Sequence, residues 1–320
     1  MFDRICTALH LGAVTAPPLR LSGGFLHRMY RLDTTTGSWA VKLLNPEIMQ
    51  RPDALENYRR AEGFEALLEA RKIPILPARM IDGRKMHCVD GQYLYVYDYF
   101  DGRALQKGEI TPAHCARIGE VLAHIHAVEQ RPSEATEEDL PIDWDDLAVR
   151  LQASGLAPEE SELLMDAVPM LEELTVAAME AARRLPGVHA LCHNDMDPKN
   201  VLWRGDEFRV IDLECLGYAN PLQEMLDLAI SWSEVGDESC FKAFVAAYQA
   251  AGGFRAADAA WLFDSRRNYI DWLAYNAGRA MSSDAGEREI ARTQLRETLG
   301  KLEADRNRRG QILRWMEEAV

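Results

Sequence analysis

The stretch C-H-N-D-M-D-P-K-N-V-L-W, Cys192 to Trp203, places a histidine, two aspartates, a lysine and two asparagines within eight residues and closes on an apolar triplet. Pro198 forbids a regular helix, so Asp195 and Asn200 project from a loop. A little further on, V-I-D-L-E (Val210 to Glu214) ends an apolar strand on two carboxylates. In a strand, residues i and i+2 share a face, so Asp212 and Glu214 are expected to point the same way. An Asn and a strand-end Asp converging on one spot offer hard oxygen ligands that suit Mg²⁺ with phosphate oxygens completing its octahedron. Asp195, outside that set, is placed to accept a proton from a hydroxyl.

Upstream, P-L-R-L-S-G-G-F-L-H-R-M-Y-R-L reads as a hairpin turning at Ser22-Gly23-Gly24, and W-A-V-K-L-L carries Lys42 on a further strand. Residues 51–71 have helical spacing, and I-P-I-L-P-A-R-M-I and Y-L-Y-V-Y-D-Y-F read as two more strands around the turn D-G-R-K-M-H-C-V-D-G-Q. From Pro112 onward the pattern is mainly helical. It includes two long helical patterns around Ser161 to Leu185 and an amphipathic helix pair at the C-terminal end. The expected fold is α+β. A small β-rich lobe with one long helix, residues 1–99, joins a larger, mainly helical lobe, residues 100–320, through a hinge near Tyr99 to Gly102.

The chain has 320 residues, enough for one large domain or two modest ones, and a net charge of −15. That charge repels nucleic acid and anionic membranes and attracts a cationic small molecule, although it serves solubility equally. No apolar run approaches the roughly 20 residues of a membrane helix. The first residues make a poor secretory signal, and six dispersed cysteines without a C-x-x-C pair fit reduced thiols. The cytoplasm is the expected compartment.

H-N-D-M-D-P-K-N followed by V-I-D-L-E resembles the H-x-D-x-x-x-x-N and D-x-[DE] signature of the aminoglycoside phosphotransferase and choline kinase-like enzymes, small-molecule kinases with a protein-kinase-like bilobal fold. The spacing also matches the H-R-D-x-x-x-x-N loop of protein kinases. The resemblance implies that Asp195 positions the acceptor hydroxyl, that Asn200 and Asp212 bind Mg²⁺, and that Glu214 is a metal or water ligand. It implies Lys42 as the phosphate-gripping lysine, held by Glu62 on the long helix, with Glu65 the weaker candidate. It further implies a phosphate-covering loop at Ser22, Gly23 and Gly24, and adenine contacts from the backbone of Asp98, Tyr99 and Phe100. His193 is expected to brace the loop, His126 to pack within its helix, and Asp227 to support the catalytic loop.

The loop departs from its relatives at Asp197, which faces either a cationic substrate group or Lys199. After V-I-D-L-E there is no room for the activation segment of a protein kinase, so no protein substrate is expected. The acceptor pocket is expected between the acidic tract Glu134 to Asp146 and the helix carrying Asp271, Trp272 and Tyr275. An acid among aromatics suits an amino-sugar or quaternary ammonium group, though a solvated loop and a packed helix account for the same residues. The expected activity is transfer of the γ-phosphoryl group of ATP or GTP to a small hydroxylated acceptor. An aminoglycoside leads, ahead of choline, ethanolamine, a sugar, a macrolide or a nucleoside-like metabolite, with antibiotic resistance or metabolism as the role. The non-enzyme alternative is a pseudokinase-like binding protein.

Overall fold

The computed structural model describes residues 1–21, 27–132, 142–185, 187–233 and 236–319. Helix α1 (Phe2–Ala8) precedes strands β1 (Leu19–Leu21), β2 (Arg28–Thr34) and β3 (Gly37–Leu43). Helices α2 (Pro46–Met49) and α3 (Ala54–Ala70) follow, then strands β4 (His87–Val89) and β5 (Gln92–Asp98). The five strands make one antiparallel sheet in the order β1-β2-β3-β5-β4. Alternation in β3 sends Val41 and Leu43 into a core with Ile5, Leu9, Leu32, Leu94 and Val96. It turns Lys42, in register between Met29 and Tyr95, to the opposite face.

Two strand readings change. I-P-I-L-P-A-R-M-I makes only isolated bridges, Ile75 with Val210, Ala78 with Tyr97 and Ile81 with Arg84. Pro74 and Pro77 lack the N–H groups that a ladder needs. The sheet edge is instead β4, inside the segment read as a turn.

Residues 99–111 connect β5 to α4 (Pro112–His126), which starts on a Thr111–His114 capping box with Pro112 in its first turn. Gly102 is required here, because a Cβ would collide with the Phe100 ring. The second lobe continues through β6 (Gln130–Pro132), α5 (Trp144–Ser154), α6 (Pro158–Ala182), β7 (Val188–Cys192), β8 (Val201–Arg204), β9 (Glu207–Val210) and β10 (Gly217–Ala219). It ends with α7 (Pro221–Trp232), α8 (Glu238–Ala250), α9 (Ala259–Asp264), α10 (Asn268–Arg279) and α11 (Ala285–Glu318). Helix α6 runs unbroken through Pro169, so the second half of the pattern read at Ser161 to Leu185 is not a separate helix. The C-terminal pair is likewise one helix, α11.

Helix α4 packs on α7 and α8 around Ile118, Leu122, Met225, Ala229, Phe241 and Phe244. Gly119 brings α4 against α8, since a Cβ there would strike the Phe244 carbonyl. A separate core joins α5, α6, α10 and α11 through Trp144, Leu151, Leu171, Leu273 and Leu295. Among the described residues no helix is long and apolar enough to cross a membrane.

Candidate active site

The site forms where β7 ends, between the two lobes. After Cys192 the chain turns through Asn194, held at φ +63°, and makes a 3₁₀ turn over Pro198–Asn200 before entering β8. Few residues other than Gly and Asn adopt that backbone region at low cost. Three groups hold the turn. The Glu224 carboxylate accepts the Asn194 N–H at 2.5 Å, Asn194 Nδ2 donates to the Cys215 carbonyl at 2.8 Å, and Trp232 Nε1 donates to the Met196 carbonyl at 2.9 Å.

His193 is fully buried. Its Nε2 donates to the Ile211 carbonyl at 3.1 Å and its Nδ1 accepts the Asp195 N–H at 3.2 Å, so it ties the loop to the chain leading into Asp212. Asn200 Nδ2 donates to the Asp195 carbonyl at 2.7 Å and to Asp195 Oδ2 at 2.8 Å. With its amide nitrogen engaged, Oδ1 is the atom that Asn200 offers to a cation. Burial raises the pKa of Asp195, partly offset by Lys199, whose ammonium lies 3.1 Å from Oδ1.

Asp212 and Glu214 do come together, but not through a strand pleat. Strand β9 stops at Val210, Asp212 takes the left-handed conformation at φ +64°, and a 3₁₀ turn over Leu213–Cys215 carries Glu214. Lys42 Nζ sits 2.6 Å from Asp212 Oδ1 and 2.7 Å from Glu214 Oε1. Burial works against the charge on Lys42, yet the two carboxylates override it and hold its pKa well above the usual value. Burial likewise opposes ionisation of Asp212, and Lys42 outweighs it, leaving a pKa of about 2. Glu214 Oε1 is buried, and its close partner is the Lys42 ammonium at 2.7 Å. That oxygen, Asp212 and Asn200 Oδ1 form a hard-oxygen set whose chemistry fits Mg²⁺.

Glu62 is not a partner of Lys42. It accepts a hydrogen bond from the Tyr95 hydroxyl at 2.9 Å, while Lys42 is taken by the two acids across the cleft. Glu65 bonds Lys85 Nζ at 2.5 Å and the Ala78 N–H at 2.9 Å, so it too is committed elsewhere. Helix α3 instead reaches the acids through Tyr58. Its hydroxyl lies 3.0 Å from His27 Nε2, which is 3.4 Å from Glu214 Oε2. His27 Nδ1 accepts the Asn45 N–H at 3.0 Å, which leaves Nε2 as the protonated nitrogen of a neutral ring.

Asp227 does not support the catalytic loop. It meets Arg266 at 3.4 Å and Asn268 Nδ2 at 2.7 Å, and burial lifts its pKa to about 7 despite Arg266. Glu224, three residues earlier on α7, takes the bracing role because its position faces β7. Its second oxygen lies 2.8 Å from His126 Nε2, and His126 Nδ1 lies 2.8 Å from the Tyr248 hydroxyl. His126 is thus packed, as expected, and also links α4 and α8 to the loop. His126, Cys192 and Glu224 lie close enough to bracket a cation. Their hydrogen bonds to one another, to Tyr248 and to Asn194 already occupy the ligand atoms, so this is a structural network.

Asp197 does not pair with Lys199. The 3₁₀ turn sends Lys199 back over Asp195, and Asp197 accepts the Ser231 hydroxyl at 2.6 Å. At the hinge, Asp98 pairs with Arg79 at 3.0 Å and the Tyr99 N–H donates to the Ser38 carbonyl at 3.1 Å. Phe100 is nearly buried under Arg204 and Arg209. On α10, Trp272 and Tyr275 stack at 5.5 Å, Trp272 Nε1 donates to Gln294, and Asp271 lies 3.5 Å from Arg267. The Tyr275 hydroxyl accepts from Arg51 of the N-terminal lobe at 3.2 Å, so α10 spans toward that lobe. Ser22, Gly23, Gly24 and the acidic tract up to residue 141 lie outside the described residues. Of the rest of that tract, Asp143 caps α5 by accepting the Asp146 N–H.

A model of the phosphotransferase enzyme family matches residues 19–261. No curated protein matches. Among solved structures, the spectinomycin phosphotransferase APH(9)-Ia in complex with ADP and spectinomycin is similar at a TM-score of 0.73 and 13% identity, with 95% of this chain and 97% of that one covered. The amicoumacin kinase hAmiN, in complex with AMP-PNP, Ca²⁺ and Ami, gives 0.61 at 14% identity, covering 93% and 92%. A choline/ethanolamine kinase family protein from Mesorhizobium loti gives 0.60 at 15% identity, covering 98% of both chains.

Proposed function

The chain belongs to the phosphotransferase enzyme family, and from that membership we propose that it transfers the γ-phosphoryl group of ATP or GTP to a hydroxyl of a small, cationic acceptor of aminoglycoside type. The observation that carries this reading is the meeting of Asp195, Asn200, Asp212, Glu214 and Lys42 at one point. Asn200 bonds Asp195 at 2.8 Å, the Ile211 N–H donates to the Asn200 carbonyl at 2.9 Å, and Lys42 joins the two following acids. The similar structures include proteins named for spectinomycin, amicoumacin and ethanolamine, and among them are complexes with ADP and with AMP-PNP and Ca²⁺.

In this account Asn200, Asp212 and Glu214 hold Mg²⁺, which neutralises phosphate charge when bound. Lys42, now paired with Asp212 and Glu214 at 2.6 and 2.7 Å, would turn its ammonium to the nucleotide phosphates once those acids served as metal ligands. The backbone from Asp98 to Phe100 meets the base, and the phosphate-covering role expected of Ser22, Gly23 and Gly24 falls outside the described residues. Asp195 orients the acceptor hydroxyl and receives its proton, and its burial-raised pKa makes it a better base. We assign residues 1–99 to the nucleotide-binding lobe and residues 100–320 to the catalytic and acceptor lobe. Asp197, Asp271, Trp272 and Tyr275 are the acceptor-side candidates. The free cysteines and the nucleotide co-substrate favour the cytoplasm.

The test is a panel of aminoglycosides, choline, ethanolamine, sugars and macrolides, each incubated with Mg²⁺ and ATP or GTP and read by phosphate transfer. Transfer to a cationic hydroxyl compound supports the reading. Tight nucleotide binding with no transfer to any compound, and no Mg²⁺-dependent nucleotide hydrolysis, favours a pseudokinase-like binding protein.

A further inference from the structure

Lys199 is the group in the catalytic loop that neither the family signature nor the roles above employ. It sits between Pro198 and Asn200 in the 3₁₀ turn, and its ammonium lies 3.1 Å from Asp195 Oδ1. The other oxygen of Asp195 is occupied by Asn200 Nδ2 at 2.8 Å. Asp195 is therefore flanked on one side by a metal-ligand candidate and on the other by a lysine. The lysine side chain is half-exposed, with 50% of its surface accessible, so a short swing on its flexible stem costs little.

Charge makes the position informative. Four carboxylates, from Asp195, Asp197, Asp212 and Glu214, surround a site that must accept a polyanionic nucleotide. Among the described residues, the lysines that ion-pair with this group are Lys42 and Lys199. Lys42 comes from the N-terminal lobe and meets Asp212 and Glu214. Lys199 comes from the opposite lobe, and it feels the charges of Asp195, Asp197 and Asp212 together. The reacting phosphorus must lie about 3 Å from a hydroxyl oxygen that Asp195 holds. An oxygen on that phosphorus then falls within the swing of a lysine already touching Asp195.

We propose that Lys199 is a catalytic residue that moves from Asp195 onto the γ-phosphoryl oxygens, stabilising the transferring group and freeing Asp195 Oδ1 for the acceptor hydroxyl. This rests on the kinase reading given above. The acceptor oxygen forms its bond to the γ-phosphorus as the bond from that phosphorus to the β,γ-bridging oxygen breaks. The bridging oxygen leaves with the electron pair on the nucleoside diphosphate, and the hydroxyl proton passes to Asp195. Lys199 gives up no proton and supplies only charge and hydrogen bonds to the equatorial oxygens.

The experiment compares Lys199→Met and Lys199→Arg with the wild-type protein, using calorimetric affinities for ADP and for AMP-PNP in the presence of Mg²⁺. Lys199→Met is expected to weaken AMP-PNP by about tenfold or more while leaving ADP within about twofold, because ADP lacks the group that Lys199 contacts. Its kcat with any acceptor found should fall by about 100-fold, and Lys199→Arg should recover much of both. An equal loss for the two nucleotides, or no loss for either, overturns the proposal, because a lysine that only braces the loop does not distinguish them. A matching melting temperature for Lys199→Met and wild type assigns the AMP-PNP loss to the missing ammonium, and a collapse of folding in both variants overturns the proposal. A wild-type protein that binds neither nucleotide overturns the functional reading itself, and this proposal with it.

Discussion

Glu224 Oε1 accepts the backbone N–H of Asn194 at 2.5 Å, one residue before Asp195, in a peptide whose left-handed conformation needs an external hold. Burial opposes a charge on Glu224, but its bond to His126 more than compensates and lowers its pKa. A network that starts at Tyr248 on α8 thereby ends at the residue preceding Asp195, the proposed catalytic group. Glu224→Gln must turn an N–H₂ either toward Asn194, losing that bond, or toward His126, whose ring must then switch tautomer to accept it and reverse its bond to Tyr248. The variant should fold, with a stability loss of about 1–3 kcal/mol. Its turnover should drop by about 100-fold as Asp195 loses its aim, while nucleotide affinity stays close to wild type. Steady-state kinetics and thermal melts check this, and unchanged kcat would remove Glu224 from the positioning role.

Asp227 provides a pH test of stability. Its folded-state pKa is raised to about 7 by burial, against about 3.9 for an unfolded aspartate. The folded protein therefore favours the protonated form. The stabilisation is complete below the unfolded value and is lost as pH rises through about 7. Melting curves should show wild type losing stability between pH 4 and about 7 by a component absent from Asp227→Asn, with an upper bound of about 1.4 kcal/mol per pH unit of that interval. Parallel pH profiles for the two proteins would contradict the assignment.

The Lys42 pairing separates two acids that sequence spacing alone could not. Lys42→Met leaves Asp212 and Glu214 facing each other without their cation. It should cost about 1–3 kcal/mol, less than a fully buried pair because Asp212 is partly exposed. Glu62→Gln keeps an acceptor for Tyr95 and should shift stability by less than about 0.5 kcal/mol. Nucleotide affinity should fall far more in the first variant than in the second. Equal losses would show that Glu62 acts on Lys42 when nucleotide is bound.

The motif segments were legible because their chemistry is local. H-x-D-x-x-x-x-N depends on a turn of fixed length, and Lys42 depends on strand alternation, so order and spacing carried them. Glu224 was less visible. Its signal was a lone acid flanked by Met225 and Leu228 on an otherwise apolar helix face, and Asp227 in the same helix competed for the role. Only the packing of α7 against β7 decides between them. His27, Tyr58 and Ser231 act through contacts between segments far apart in sequence, where spacing carries no information. The misread strand at Ile73 to Ile81 had a readable warning in its two prolines. The left-handed turn at Asp212 had none, because a non-glycine residue there depends on its surroundings.

The most direct measurement of the central claim is single-turnover phosphate transfer by wild type and Asp195→Ala, with nucleotide affinity measured on the same samples. Transfer in the variant should fall below detection, or at least about 1,000-fold, with nucleotide affinity essentially unchanged. Transfer surviving at a comparable rate in Asp195→Ala would contradict the account.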